Sequence, residues 1–236
     1  TIYNYPYYPK HMESLGGWEK DNDYVEYKLY VPEQIPEKYA KVAQMIQKRY
    51  NLHIKKIKKD EIFGENGYGQ KIFEVINATF GHLYGYSTLT QRQIDQYVKM
   101  YLPMVDLSLV SLIEDWNTPD HKLIGVGITL PSLTRALQKC RKGRLFPFGW
   151  VHILRALKRH KTNIVDLLLV GILPEYRPKG ANALLFYDLI PRYQKYGFEW
   201  GETHVEMETN EKVQGQWQYL ERECHKRRRC YKKNIK

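Results

Sequence analysis

The stretch that most constrains this chain is TNIVDLLLVGILPEYRPKGANALLFYDLIP, residues 162–191. Its apolar run Ile164–Ile172 reads as a buried strand, bounded by a proline at Pro174. A basic turn follows, carrying Arg177, Lys179 and Gly180, and then a helix-forming segment from Ala181. The first turn of a helix leaves backbone N–H groups unpaired and carries partial positive charge. Strand, glycine-bearing turn and helix in that order therefore predict a place where the backbone meets an anion.

The charge balance points the same way. With 37 Lys+Arg against 26 Asp+Glu the formal net charge of the 236 residues is +11, which favours anionic partners such as phosphorylated cofactors or nucleic acid. Ordinary solubility plus one basic tail explains the same numbers. No run of about 18 apolar residues occurs, so no segment is expected to span a bilayer and no membrane is counted among the partners. A signal peptide is not expected either. Cys140, Cys224 and Cys230 have no CxxC spacing, which argues against a disulfide framework and against a zinc site. No metal is expected, and the expected compartment is a reducing cytoplasm.

Along the chain, a short helix over 7–15 leads through Gly16-Gly17 to a strand at 24–31, with Val25, Tyr27, Leu29 and Val31 on one face. A helix over 37–50 repeats Val42, Met45, Ile46 and Arg49, and a short lysine-bearing edge strand at 52–58 comes next. Helices over 66–84, broken by Gly81 and Gly85, and over 90–101, capped by Thr90 and ended by Pro103, lead into a hairpin of strands 107–113 and 122–130. Residues 131–160 interrupt the strand rhythm with two basic amphipathic helices, readable as a lid or as a solvated crossover. After the 162–191 stretch come a strand at 198–207, a helix over 211–223 and the basic HKRRRCYKKNIK, a strand or tail. His204, Glu206 and Glu208 share one side of the 198–207 strand.

With these elements in order, the chain resembles the GNAT superfamily of acyl-CoA N-acyltransferases over roughly residues 60–236. The most specific part is ILPEYRPKGAN, which matches the family's phosphate turn at Ile172, Pro174, Arg177 and Gly180. The resemblance implies an α/β (α+β) fold: a mixed, largely antiparallel central sheet flanked by helices, with a two-helix insertion between the third and fourth strands. It implies coenzyme A as the carrier, with acetyl-CoA or another acyl-CoA as donor. Ile172 would border the acyl thioester with Val170 beside it on the strand, and Arg177, Lys179, Gly180, Ala181 and Asn182 would hold the phosphates. Asn210, at the end of the 198–207 strand, stands where the family has an asparagine.

Three departures accompany the match. Asn182 stands where Gly or Ala is usual, Pro178 has no N–H to give, and Trp217 occupies the place of the family's tyrosine. Tyr219 is the remaining phenol, with ordinary packing as its other reading. The candidate bases are Glu206 and Glu208, with Asp166 farther off, and for each a salt bridge to the basic excess is the alternative. Residues 1–31 resemble the closing helix and strand of an upstream GNAT-like module, leaving 32–236 as a GNAT-like acyltransferase domain, the second module of a tandem protein. The expected function is acyl transfer, most simply of an acetyl group, from coenzyme A to the amine of an unknown acceptor. Two alternatives stay open: a non-catalytic acyl-CoA-binding or interaction module, and a Fem-type tRNA-dependent aminoacyltransferase, which would make nucleic acid a partner.

Overall fold

A computed structural model describes residues 4–64, 66–83, 86–102, 105–217 and 219–235, with the side chains of Lys212 and Trp217 outside that description. Gly85 and Pro103, expected to end two helices, also lie outside the described residues. The elements run α1 (Tyr7–Ser14), β1 (Glu19–Tyr30), α2 (Glu37–Tyr50), β2 (Leu52–Lys55), α3 (Tyr68–Phe80) and α4 (Gln91–Tyr101). They continue with β3 (Val110–Asp115), β4 (Lys122–Pro131), α5 (Thr134–Gln138), α6 (Gly149–Arg159), β5 (Ile164–Ile172) and α7 (Asn182–Tyr196). The chain closes with β6 (Trp200–Thr203), β7 (Glu206–Met207), α8 (Glu211–Gln214) and β8 (Arg222–Lys232).

One sheet takes all eight strands, in the order β2-β3-β4-β5-β6-β1-β7, with β8 paired to β1. Every pairing is antiparallel except β5 with β6. Helices cover both faces. α7 lies over β3 and β4 and against α2, while α3 crosses β4 and β5 and carries α4 behind it. The fully buried Ile46, Leu184, Leu185 and Leu189 fill the first layer, and Ile72, Val75 and Ile76 fill the second. Burying apolar area in both layers supplies the main driving force for the fold. The expected α/β architecture is what forms, with α5 and α6 as the insertion, here between β4 and β5 because β1 precedes the domain's other strands.

Glycine sets the approach of neighbouring elements at the centre. A Cβ on Gly125 would lie 2.6 Å from Ile172 Cδ1, and one on Gly171 would lie 3.1 Å from Thr79 Cγ2, so these positions let β4, β5 and α3 close up.

Three segments differ from their sequence reading. The 198–207 strand is two short strands, because the chain bends after Thr203, whose Oγ1 accepts a hydrogen bond from Tyr27 N at 3.0 Å. The helix expected over 211–223 ends after one turn of α8 and a 3-10 turn at Gly215–Trp217. From Arg222 the chain pairs with β1 instead. Arg227 and Arg229 bond Asp23, and Arg228 bonds Glu26. Of the two readings of the basic closing segment, strand or tail, the strand is what forms, and β1 carboxylates neutralise its arginines. On α2 the buried positions are Tyr39, Ala43 and Ile46, and Met45 is exposed.

Candidate active site

The site begins where two parallel strands separate. β5 and β6 pair only from Ile164↔Trp200 to Leu167↔Thr203. Beyond that point β5 runs on to Ile172 along β4, while the other chain bends away as β7 and follows β1. Among the described residues, the β5 edge from Leu168 to Ile172 has no strand beside it on that side. Peptide N–H and C=O groups left at such an edge seek a partner, and an extended ligand can supply one.

Two adjoining cavities fill the gap. The first, about 430 Å³, is lined by Val170, Gly171 and Ile172 of β5, Thr79 and Phe80 of α3, and Arg177, Pro178 and Asn182 of the turn, with Asn210 and Val213 opposite. The second, about 460 Å³, is more apolar: Leu167–Val170 face Tyr24, Phe80, Leu83, Tyr86, Glu206 and Met207. Phe80, Leu83, Val170, Asn210 and Val213 line both, so they form one cleft.

The turn after β5 is built tightly. Residues Pro174–Lys179 form a 3-10 turn, and Gly180 then takes φ 77°, a left-handed conformation that a side chain would strain. This reversal starts α7 at Asn182, with its leading N–H groups at the cleft end of the helix. Arg177 lines the cleft while fastening the turn: its Nε donates to the Ile172 carbonyl at 2.9 Å and its Nη2 to the Thr79 carbonyl at 3.3 Å. Lys179 turns away, its ammonium 4.3 Å from the Tyr176 ring centroid and 5.3 Å from that of Tyr50.

Of the residues singled out in the sequence, Val170, Ile172, Arg177, Asn182 and Asn210 meet in the first cavity, with Gly180 and Ala181 forming the backbone between. Glu206 is buried and lines the second. Asn210 caps α8, its Oδ1 accepting from Val213 N at 3.3 Å. Glu208 is drawn elsewhere. Lys20 Nζ lies 2.6 Å from its Oε2 and Arg227 bonds its Oε1, pairings that lower its pKa and keep it ionised. Tyr219 packs edge-on against Tyr39 with Lys38 over its ring, outside either cavity. Whether the indole of Trp217 faces the cleft lies outside the described residues.

Sequence reasoning missed Tyr24, Phe80, Leu83 and Tyr86, which reach the cleft from positions far before β5 and β7 in the chain. Only the heavy tyrosine usage hinted at them. Tyr86 is committed, its hydroxyl donating to Asn77 Oδ1 at 2.9 Å, and burial raises its pKa. Away from the cleft, Glu26, Glu202 and His225 offer ligand atoms within 4.8 Å of one another. Lys226 already bridges that pair of carboxylates, and Arg228 bonds Glu26 at 2.7 Å, so protein cations supply the charge a metal would.

No protein-family model matches the chain. Protein YghO of Escherichia coli (strain K12) is 24% identical over 234 residues, 98% of this chain and 57% of that protein. The bacterial ceramide synthase of Caulobacter vibrioides is 26% identical over 116 residues, 49% of this chain and 29% of that protein. The chain thus spans between about a third and three fifths of the curated relatives it matches. Among solved structures, a GCN5-related glucosamine N-acetyltransferase region of a fungal multi-domain beta-N-acetylglucosaminidase superposes with a TM-score of 0.56 at 12% identity, covering 95% of this chain and 22% of that one. A GCN5-related N-acetyltransferase from Sphaerobacter thermophilus gives 0.53 at 11%, covering 97% and 58%. The chain thus shares its fold with these GCN5-related N-acetyltransferases.

Proposed function

We propose that the chain is an acyl-CoA-dependent N-acyltransferase whose acceptor is an amine carried on an apolar molecule. The observation that carries the reading is the separation of β5 from β6 beside the Pro174–Gly180 turn, because it leaves one strand edge and one helix start facing a single cleft. In this reading the donor's phosphates lie at Arg177–Asn182, with Pro178 giving no N–H, and its extended arm runs along Val170–Ile172. Backbone N–H groups there polarise the thioester carbonyl, a fixed dipole that needs no reorganisation as charge develops.

The amine attacks that carbonyl, the C–N bond forms, and the C–S bond breaks to release coenzyme A. Glu206 takes the proton lost by the amine. Its place in a largely apolar cavity suits a base, whereas Glu208 is held by two cations. With Tyr219 outside the cleft and Tyr86 bonded to Asn77, Tyr24 becomes the phenol for the departing thiolate. The apolar second cavity supports an acceptor with a hydrocarbon body. So does the likeness to a ceramide synthase, since a ceramide is the amide of a long-chain amine. The reading of residues 1–31 as the closing part of an upstream module also stands as a proposal. Its support is that α1–β1 and α8–β8 repeat the order helix then strand, and their strands lie side by side.

The test is thiol release from acetyl-CoA and from a long-chain acyl-CoA, with a long-chain 2-amino alcohol or ethanolamine as acceptor. Release that needs the long-chain amine and falls about 100-fold or more in Glu206→Gln is the expected result. No thermal shift and no heat with either acyl-CoA at millimolar concentration would remove the donor, and with it the reading.

A further inference from the structure

One segment of this molecule carries its positive charge without a carboxylate of its own. Residues 132–163 contain nine lysines and arginines and no aspartate or glutamate. Among the described residues no ion pair joins any of these nine to a carboxylate, whereas on β8 Lys226, Arg227, Arg228 and Arg229 are all paired. The same segment shows large apolar side chains to water: Phe146 is 78% exposed and Phe148 73%, and Leu137, Leu145, Trp150 and Leu154 are each exposed. A clustered apolar patch rimmed by unpaired cations is an unusual surface for a protein to keep in water.

The exposure is built in. Trp150 N donates to the Leu145 carbonyl at 2.9 Å, Trp150 Nε1 to the Pro147 carbonyl at 2.8 Å, and Val151 N to the Phe148 carbonyl at 3.1 Å. Underneath, Cys140 is buried against the start of α6, and a Cβ on Gly149 would come within 2.3 Å of the Arg144 carbonyl oxygen. The loop is therefore closed against its own backbone, with the rings of Phe146 and Phe148 left pointing outward. α6 extends the surface: Gly149 and Ala156 face inward, Trp150 and Leu154 lie one turn apart outside, and Arg155, Lys158 and Arg159 flank them.

We propose that this face, from α5 through α6, docks on an anionic lipid bilayer. Phenylalanine, tryptophan and leucine tips enter the interface between headgroups and acyl chains, while arginine and lysine stems lie along them with their charges among the lipid phosphates. Three leucines beside the aromatic rings favour lipid over a single-stranded nucleic acid, which stacks on rings and gains little from aliphatic side chains. The inference stands apart from the acyl-transfer reading, though the two are compatible: the segment runs directly into β5, whose Leu167 begins the apolar half of the cleft. The absence of a membrane span among the described residues bears on crossing a bilayer and leaves surface docking open.

The experiment is co-sedimentation of the full chain with vesicles of phosphatidylcholine alone and of phosphatidylcholine mixed with the anionic lipid phosphatidylglycerol, at low and high salt. Two variants are compared, Phe146→Asp with Phe148→Asp, and Arg141→Gln with Lys142→Gln and Arg144→Gln, each checked by thermal melting. All five side chains are exposed, so folding is expected to survive. Binding to the anionic vesicles should exceed that to neutral ones at least tenfold. The apolar variant should lose about tenfold, and the charge variant on the order of 100-fold, about fivefold per basic residue. Absence of binding to anionic vesicles would overturn the proposal. So would binding that the apolar variant leaves unchanged, and poly(U) binding by the wild type that both variants lose, in place of vesicle binding, would make the face a nucleic-acid surface instead.

Discussion

Arg229 meets Asp23 squarely across the β1–β8 ladder: its Nε donates to Asp23 Oδ1 at 2.8 Å and its Nη2 to Oδ2 at 3.0 Å. Asp23 is almost wholly buried, and Lys20 and Arg227 stand 3.2 and 3.1 Å from the same Oδ2. The hydrogen bonds from Arg229 first, with those from Lys20 and Arg227, hold this carboxyl well below the usual carboxylate range against the opposing effect of burial.

Asp23→Asn is therefore expected to destabilise the protein by roughly 2–4 kcal/mol at pH 7, since three cations lose a buried partner. The folded-state pKa is depressed, so the contribution is full above the unfolded value of about 4 and is lost as the pH falls below it. Urea unfolding at pH 7 and at pH 3 should show the gap between wild type and variant closing in acid. An equal gap at both values would mean the loss is one of packing.

Asp166 carries the opposite sign. Burial pushes its carboxyl up to about 6, and among the described residues its Oδ1 has no hydrogen-bond partner. A raised folded pKa means that ionisation costs stability as the pH climbs from about 4 to about 6 and that the cost stays in full above. Asp166→Asn should be neutral near pH 4 and stabilising by up to about 2 kcal/mol at pH 8. A variant less stable than wild type at pH 8 would show that Asp166 has an ionised role.

How much of this was legible beforehand depended on how far along the chain the partners lie. The run Ile164–Ile172, Pro174 and Gly180 announced strand, turn and helix because each acts through its own backbone. Glu206 and Glu208 could not be separated by spacing. What separates them is that Lys20 of β1 and Arg227 of β8 hold Glu208, while Glu206 is buried in the cleft wall. The helix expected over 211–223 had adequate propensity, but from Arg222 the chain finds a full antiparallel partner in β1, and tertiary pairing overrides a local preference. The same long-range strand brings Tyr24 to the cleft.

Gly180→Ala isolates the turn. A Cβ there meets nothing closer than Ile46 Cδ1 at 3.5 Å, so the cost is conformational, from φ 77°, and on the order of 1–2 kcal/mol. If the turn holds the donor's phosphates, acyl-CoA affinity should fall along with stability. Lys179→Ala, whose ammonium lies over Tyr176 and Tyr50, should leave that affinity within about twofold. Isothermal titration of both variants with acetyl-CoA makes the comparison, and a larger loss from Lys179→Ala would put the Lys179 ammonium, rather than the backbone at Gly180, on the phosphates.

The strand β1 offers a test of how the sheet is assembled. It lies inside the sheet, paired with β6 and β7 on one side and with β8 on the other. Without it, the facing edges of β6 and β8 lose their backbone partners, and Arg227, Arg228 and Arg229 lose Asp23 and Glu26. A chain cut to start at residue 32 should therefore show no cooperative melt and should aggregate, and a peptide covering 16–31 added in excess should restore folding. Restoration follows because an extended segment can supply in trans the ladder that it supplies in cis. Circular dichroism melts with and without the peptide read this out. A cooperative wild-type melt for the shortened chain alone would show that β1 is an accessory to the sheet, and would detach residues 1–31 from the assembly of the cleft that Tyr24 helps to line.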